Sequence, residues 1–165
     1  MKYAHGLGEM LRYLSELIDS GSEKTYPDLP VNYRSRYTPV LRAIVAGATT
    51  VTEIKAVTFL TQGAVSQTVA LMEQDNIIER KPLADGRKNA LQLTPAGRTA
   101  LSKLEFHWQA LFLSVSGLEK ETGAPLMEVL EKTIHALNAR TAEERIREAK
   151  AELQNQEERK HVGCN

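Results

Sequence analysis

The stretch that decides the fold is residues 50–98, TVTEIKAVTFLTQGAVSQTVALMEQDNIIERKPLADGRKNALQLTPAGR. Its apolar positions first recur three and four residues apart, as in helices, and then alternate, as in strands. Thr50 and Thr61 each precede a helical segment, where a hydroxyl side chain can cap the first turn. The turn of about four residues between the two segments has the spacing of a helix-turn-helix.

A basic hairpin is predicted directly after these two helices. Strands are expected at 77–81 and 89–93, and Asp85-Gly86 between them is a strong turn signal. Thr94-Pro95 then combines a hydroxyl cap with proline at the first helical position, so another helix follows. The sequence therefore predicts a mainly α fold with a small β-hairpin wing, a winged helix-turn-helix.

Further helices are predicted before this stretch. Apolar residues from Leu7 to Ile18 form one helical stripe, which we expect residues 19–22 to end. A second helix is expected from about Tyr33 to Ala46, and Pro39 either begins it or kinks it.

The helix after Pro95 is predicted to be long, because its apolar residues form a heptad seam. We expect Gly117 and Gly123 to interrupt this helix and Pro125 to open another. Thr141 with Glu144 predicts a capping box for a last, highly charged helix. The seam consists of Leu101, Leu104, Trp108, Leu111, Val115 and Leu118.

Charge and composition narrow the function classes. The net charge is zero, but residues 31–105 hold ten Lys and Arg against six Asp and Glu, a local excess that suits nucleic-acid binding. No apolar run approaches the ~18 residues of a membrane span, and the first residues lack a signal-peptide pattern, so we expect a cytoplasmic protein without a membrane partner. The single cysteine, Cys164, and four histidines without ligand spacing predict neither a disulfide framework nor a metal or cofactor.

Several of these residues together resemble the multiple-antibiotic-resistance regulator (MarR) family of winged helix-turn-helix transcription regulators. The resemblance is strongest over about residues 40–102. It implies a sequence-specific DNA-binding regulator, a repressor, that binds a palindromic operator as a homodimer. The residues that carry it are Thr52-Glu53-Ile54, Thr61 to Val69, Ile78-Glu79-Arg80, Asp85-Gly86-Arg87 and Leu93-Thr94-Pro95-Ala96-Gly97-Arg98.

The helix after Thr61 is expected to enter the major groove, where base edges can be told apart. Its cap and first backbone N–H groups would hold a phosphate, and Gly63 allows the backbone to approach closely. No Lys or Arg occurs from Thr61 to Asn76, and Gln67 stands where the family often carries arginine. The candidate DNA contacts in this helix are Thr61, Gln62, Gly63, Ser66, Gln67 and Thr68, with Thr68 on either face.

The wing is expected to supply much of the affinity. Arg87 at its tip would reach the minor groove, and the resemblance implies that Asp85 holds the Arg87 guanidinium. Lys88, Arg80 and Lys81 would lie beside phosphates. The plainer interpretation is a hairpin turn with a solvated basic tip.

The flanking helices are expected to pair between two chains, although a single chain could also fold its ends over its own core. In the family, an effector often binds between the dimerisation helices and the DNA-binding lobe. The residues that could line such a pocket are Tyr13, Tyr33, Tyr37, His107 and Trp108, each of which could instead be a core or interface residue.

We therefore expect three parts: an N-terminal helix and linker (1–30) and C-terminal helices (99–165) for dimerisation, and a DNA-binding winged helix (31–98). The partners are double-stranded DNA, a second copy of the chain and a small-molecule effector. No phosphate-cradling glycine loop and no nucleophile–base pair is apparent, so we expect no enzyme. The alternative is a winged-helix accessory module that binds protein without specific DNA binding.

Overall fold

The computed structural model describes residues 4–82 and 89–162. The described chain is mainly α with one antiparallel hairpin, as the sequence predicts. Its elements are α1 (Leu7–Glu23), a 3-10 turn (Ser35–Tyr37), α2 (Thr38–Val45), α3 (Val51–Ala56), α4 (Gln62–Gln74), β1 (Ile78–Pro82), β2 (Asn89–Leu93), α5 (Pro95–Thr122), α6 (Leu126–Ala139) and α7 (Ala142–Val162).

The chain forms two compact units, Met1–Leu113 and Ser114–Asn165. The core of the first unit draws apolar side chains from α2, α3, α4, the hairpin and α5. Ala100, Leu104 and Trp108 belong to this core, so the packing of the predicted DNA-binding part continues past residue 98. Among the described residues, no helix is both long and apolar enough to cross a membrane.

The two helices before the helix-turn-helix differ in part from expectation. α1 continues through Gly21 to Glu23 rather than ending at residues 19–22. Its last turn is held because Ser22 is buried and its hydroxyl forms a 2.9 Å hydrogen bond with His107 Nε2. In the second helix Pro39 lies in the first turn of α2, so of the two alternatives the helix begins there rather than kinking.

The two helices of the helix-turn-helix begin at the predicted caps. The Thr50 hydroxyl accepts from the Glu53 amide at 3.2 Å, and Glu53 Oε2 accepts from the Thr50 amide at 3.2 Å, which completes a capping box. These hydrogen bonds and those from Thr49 lower the pKa of Glu53. At the start of α4, the Thr61 hydroxyl accepts from the Ala64 amide at 3.2 Å. Local capping therefore sets where both helices begin.

Hydrogen bonds and a close backbone contact join the hairpin to the start of α5. β1 and β2 pair antiparallel with Ile78 opposite Leu93 and Pro82 opposite Asn89. Thr94 caps α5 as predicted: its hydroxyl accepts from the Gly97 amide at 2.9 Å and donates to the Asn76 carbonyl at 2.7 Å. A Cβ at Gly97 would lie 2.0 Å from the Ile77 carbonyl oxygen, so only glycine fits at this crossing.

In the helices after the hairpin, one expected break is absent. α5 runs through Gly117 without interruption and ends beside Gly123, whose φ of +68° is the left-handed conformation of a helix C-terminus. α6 follows Pro125, as predicted. Thr141 and Glu144 form the predicted capping box before α7, and its hydrogen bonds from Thr141 lower the pKa of Glu144.

Candidate nucleic-acid interface

The N-terminal half of α4 presents an exposed polar face. Gln62, Gly63, Ser66 and Gln67 are all exposed, and they follow the exposed cap residue Thr61. The first backbone N–H groups of a helix have no partner within the helix, and they carry the positive end of its dipole. Thr61 occupies the amide of Ala64, so the amides of Gln62 and Gly63 remain suited to an anion such as a phosphate.

Thr68 does not share this face. It is 3% exposed and lies on the buried side of α4 with Val65, Val69 and Met72. Residues three and four apart share one side of a helix, and Thr68 lies three after Val65 and four before Met72. The expectation that Thr68 contacts DNA is therefore corrected: its side chain packs inside the protein.

The tip of the wing lies outside the described residues. This applies to the predicted contacts Asp85, Arg87 and Lys88, whose roles stay predictions. The strands on either side are described, and Pro82 with Asn89 is the last described pair of the ladder.

The cations at the base of the wing are already engaged. Arg80 Nε lies 2.8 Å from Glu73 Oε1, and Lys81 Nζ lies 3.2 Å from Glu79 Oε1. A phosphate would have to compete with these carboxylates for both side chains. Arg98, at the start of α5, is also engaged, because its guanidinium donates to the Leu93 carbonyl at 2.7 Å.

One cation beside α4 was missed in the sequence. Arg36, in the 3-10 turn, donates from Nη2 to Gln67 Oε1 at 3.3 Å. The predicted second helix begins at Tyr33 and therefore includes Arg36, so the 3-10 turn was not recognised. The signal that could have revealed it is Arg34-Ser35-Arg36, a basic cluster shortly before α2.

Tyr37 and Asp75 join the 3-10 turn to the end of α4. The Tyr37 hydroxyl donates to Asp75 Oδ2 at 2.6 Å, while Arg34 lies 3.8 Å from the same oxygen. Asn32 donates to the other carboxylate oxygen at 3.3 Å. Burial, together with the hydrogen bond and the charge of Asp75, raises the pKa of Tyr37 to about 12.

Four of the five expected effector-pocket residues lie in the interior of the first unit. Tyr33, Tyr37, His107 and Trp108 are buried, whereas Tyr13 is 61% exposed on α1. The Trp108 indole N–H is buried, and among the described residues it makes no hydrogen bond of standard geometry.

Tyr26, which sequence reasoning missed, fills the space between two of these side chains. Its ring meets Tyr33 edge to face at a centroid distance of 5.2 Å and His107 at 4.8 Å. Burial raises the pKa of Tyr33 above its usual range, and its hydroxyl is hydrogen-bonded with Thr38 at 2.8 Å. Tyr33, Tyr37, His107 and Trp108 are therefore enclosed in the interior of the first unit, and their role in binding an effector stays a prediction.

Residues 31–88 match the model of the MarR family. The matched segment is 58 of the 165 residues of the chain. It contains α2, α3, α4 and β1, and so includes the exposed face described above. No curated protein is a significant match to the chain in sequence.

Solved structures of DNA-binding and transcriptional regulators share the fold. Bordetella bronchiseptica BpsR, whose DNA binding is regulated by 6-hydroxynicotinic acid, is 17% identical, with a TM-score of 0.63 over 82% of this chain and 98% of BpsR. M. tuberculosis transcriptional regulator MosR in complex with DNA is 19% identical, with a TM-score of 0.59 over 79% and 91% of the two chains. Streptomyces coelicolor PcaV with its natural ligand is 16% identical, with a TM-score of 0.56 over 82% and 96%. At these identities the likeness establishes the fold alone.

Proposed function

We propose that this chain is a transcriptional repressor that binds a palindromic DNA operator as a homodimer. The observation that carries the proposal is the exposed polar face of α4, which lies within the MarR-family segment. Its side chains are amides and a hydroxyl rather than cations. Such groups read base edges by hydrogen bonds in the major groove but contribute little charge.

The second contact is assigned to the wing. Residues 83–88 hold Arg87 and Lys88, and a hairpin tip of this kind fits the narrower minor groove. Arg87 would supply the charge that α4 lacks, with Asp85 holding its guanidinium. MosR, which has the same fold, has been solved in complex with DNA.

Exposed apolar side chains support the homodimer. In the first unit, α1 leaves a stripe of large apolar residues in solvent, and α5 exposes three more. In the second unit, taken by itself, α6 exposes others. Exposed apolar surface of this kind marks an interface, and a two-fold pair would place two α4 helices on one face of the duplex. The residues are Leu7, Met10, Leu11, Tyr13 and Leu17 in α1, Phe106, Phe112 and Leu113 in α5, and Met127, Val129 and Leu137 in α6.

The exposed apolar side chains and the polar face of α4 suggest which parts of the chain bind the second copy and which bind DNA. Residues 1–30 and 99–165 are assigned to dimerisation and residues 31–98 to DNA. The protein acts in the cytoplasm, where its operator lies, and has no catalytic role.

We also infer a small-molecule effector, which would enter the aromatic cluster of Tyr26, Tyr33, His107 and Trp108. The buried Trp108 N–H and the hydrogen-bonded pair of Ser22 and His107 would offer polar contacts to an aromatic acid. BpsR responds to 6-hydroxynicotinic acid, which is a ligand of this chemistry. A panel of hydroxylated aromatic acids should contain one that raises the melting temperature and releases DNA. A panel with no such compound would remove the effector from the proposal.

The decisive experiment is binding to duplex DNA from the region upstream of the protein's own gene. Specific binding should weaken with salt, with a slope of several ions. Arg87→Ala should weaken binding to all sequences and lower that slope by about one. If no duplex is bound at low salt while a protein partner is retained, the chain is an accessory module and not a regulator.

A further inference from the structure

We propose that Arg36 is a positioning residue that orients the Gln67 amide for base reading. Because Arg36 holds the amide oxygen of Gln67, the amide N–H groups of Gln67 face the DNA and favour a guanine. This inference rests on the proposed function, because it assigns the specificity of the same face of α4. It starts from the 3.3 Å hydrogen bond from Arg36 Nη2 to Gln67 Oε1.

Arg36 is held in place by its neighbour in the 3-10 turn. The Tyr37 ring is fully buried, and its hydroxyl donates to Asp75 at the end of α4 at 2.6 Å. Gln67 precedes Asp75 by eight residues, or about 12 Å along the helix at the usual rise. The turn is therefore fixed to the same helix whose side chain Arg36 contacts, so the contact does not depend on a mobile loop.

The charge of Arg36 is also uncompensated within the described chain. It forms no ion pair there, whereas Arg34 is paired with Asp75 and Arg80 with Glu73. Residues 61–76 contain no cation of their own. Arg36 thus brings a positive charge to a helix face that has no cation of its own.

The chemistry of the contact decides which atoms of Gln67 are left for DNA. A guanidinium has only donors, so the amide atom that faces Arg36 is the oxygen. Reading adenine bidentately needs that oxygen as an acceptor and the nitrogen as a donor. With the oxygen shared, the remaining N–H groups of Gln67 favour guanine, whose O6 and N7 are both acceptors.

The test selects preferred duplexes from a random pool with the wild-type protein, Arg36→Ala, Arg36→Lys, Gln67→Ala and the double alanine variant. We expect guanine at one position of the wild-type site and relaxed choice there in Gln67→Ala. Arg36→Ala should relax the same position and lower affinity for the wild-type site about tenfold. In the double variant, the loss of affinity should be at least about threefold smaller than the product of the two single losses, because the residues act as a pair.

Two variants separate orientation from charge. Arg36→Lys keeps the charge, so we expect it to retain the salt slope and only part of the guanine preference. Lys55→Ala removes another exposed cation, on α3, and should weaken binding to all duplexes equally. If Lys55→Ala also loses the guanine preference, the effect is one of charge and the positioning role is refuted.

The remaining outcomes are equally distinct. The inference is refuted if the wild-type protein selects a site but Arg36→Ala keeps the same base preference. It is also refuted if the loss of affinity in the double variant equals the product of the two single losses. In both cases the proposed function is retained. If adenine rather than guanine is selected at the Gln67 position, the orientation is wrong. If the wild-type protein binds no duplex at all, the proposed function fails and this inference fails with it.

Discussion

Replacing Gly97 by alanine tests how the hairpin is joined to α5. The added Cβ would lie 2.0 Å from the Ile77 carbonyl oxygen and 3.0 Å from its carbon. Carbon and oxygen rarely approach closer than about 3.3 Å, so the two backbones would have to separate by roughly 1.3 Å. The same oxygen accepts from the Thr94 amide at 3.1 Å, and that hydrogen bond would be stretched by the movement.

The expected change in the free energy of unfolding combines two destabilising effects and one stabilising effect. Overpacking costs about 1–3 kcal/mol, and the upper part of this range applies because the obstacle is backbone rather than a flexible side chain. Weakening the hydrogen bond to Thr94 adds about 1 kcal/mol. Alanine recovers about 0.5–1 kcal/mol over glycine inside a helix. We therefore expect a net loss of about 2–3 kcal/mol, or a melting temperature lower by roughly 5–10 °C.

Thermal and urea unfolding at one fixed protein concentration would measure this loss. The matched control is Gly117→Ala in the same helix, where a Cβ meets nothing within 4 Å. This control should raise stability by about 0.5–1 kcal/mol. If Gly97→Ala proves as stable as the wild-type protein while the control behaves as expected, the hairpin and α5 can move apart freely and the reasoning is wrong.

Three further substitutions test other parts of the molecule. Gly63→Ala should raise stability by about 0.5–1 kcal/mol, since nothing lies within 4 Å of its Cβ, yet lower DNA affinity in a titration with the selected duplex. Tyr37→Phe should flatten the loss of stability between about pH 10 and pH 12 in urea unfolding, because unfolded tyrosine releases its proton near 10 and folded Tyr37 only at about 12; an equally steep loss in the variant would exclude Tyr37 as its source. Leu17→Glu, at a residue 53% exposed on α1, should raise the dimer dissociation constant at least about tenfold in sedimentation, whereas Glu16→Gln on the same helix should not.

Features fixed by neighbouring residues were predictable from the sequence. The caps at Thr50, Thr61 and Thr94 depend on hydrogen bonds that reach only three residues along the chain. The alternation in residues 89–93 matched the second strand, because one side of a strand faces the core. Helical spacing likewise placed the exposed polar face of α4 correctly except at Thr68, which lies on the buried side.

Features fixed by distant residues were not predictable. Gly21 and Ser22 look like a helix end, but Ser22 bonds to His107, 85 residues away, and α1 continues. Gly117 looks like a break, but one glycine costs a helix only about 1 kcal/mol, and α5 continues through it. The contact of Arg36 with Gln67 spans 31 residues and depends on a turn whose position is set by the Tyr37–Asp75 hydrogen bond.

Gly63 and Gly97 both lie in helices, but packing within the chain requires glycine only at Gly97. At Gly97 the Ile77 carbonyl fills the place of a side chain, so packing within the chain accounts for the glycine. At Gly63 a side chain would meet open space, and the helix tolerates a glycine there at a cost of about 0.5–1 kcal/mol. Gly63 is also the second residue of α4, beside amides that suit a phosphate. A cost without an internal reason, at the surface proposed to meet DNA, is best explained by the partner that approaches there.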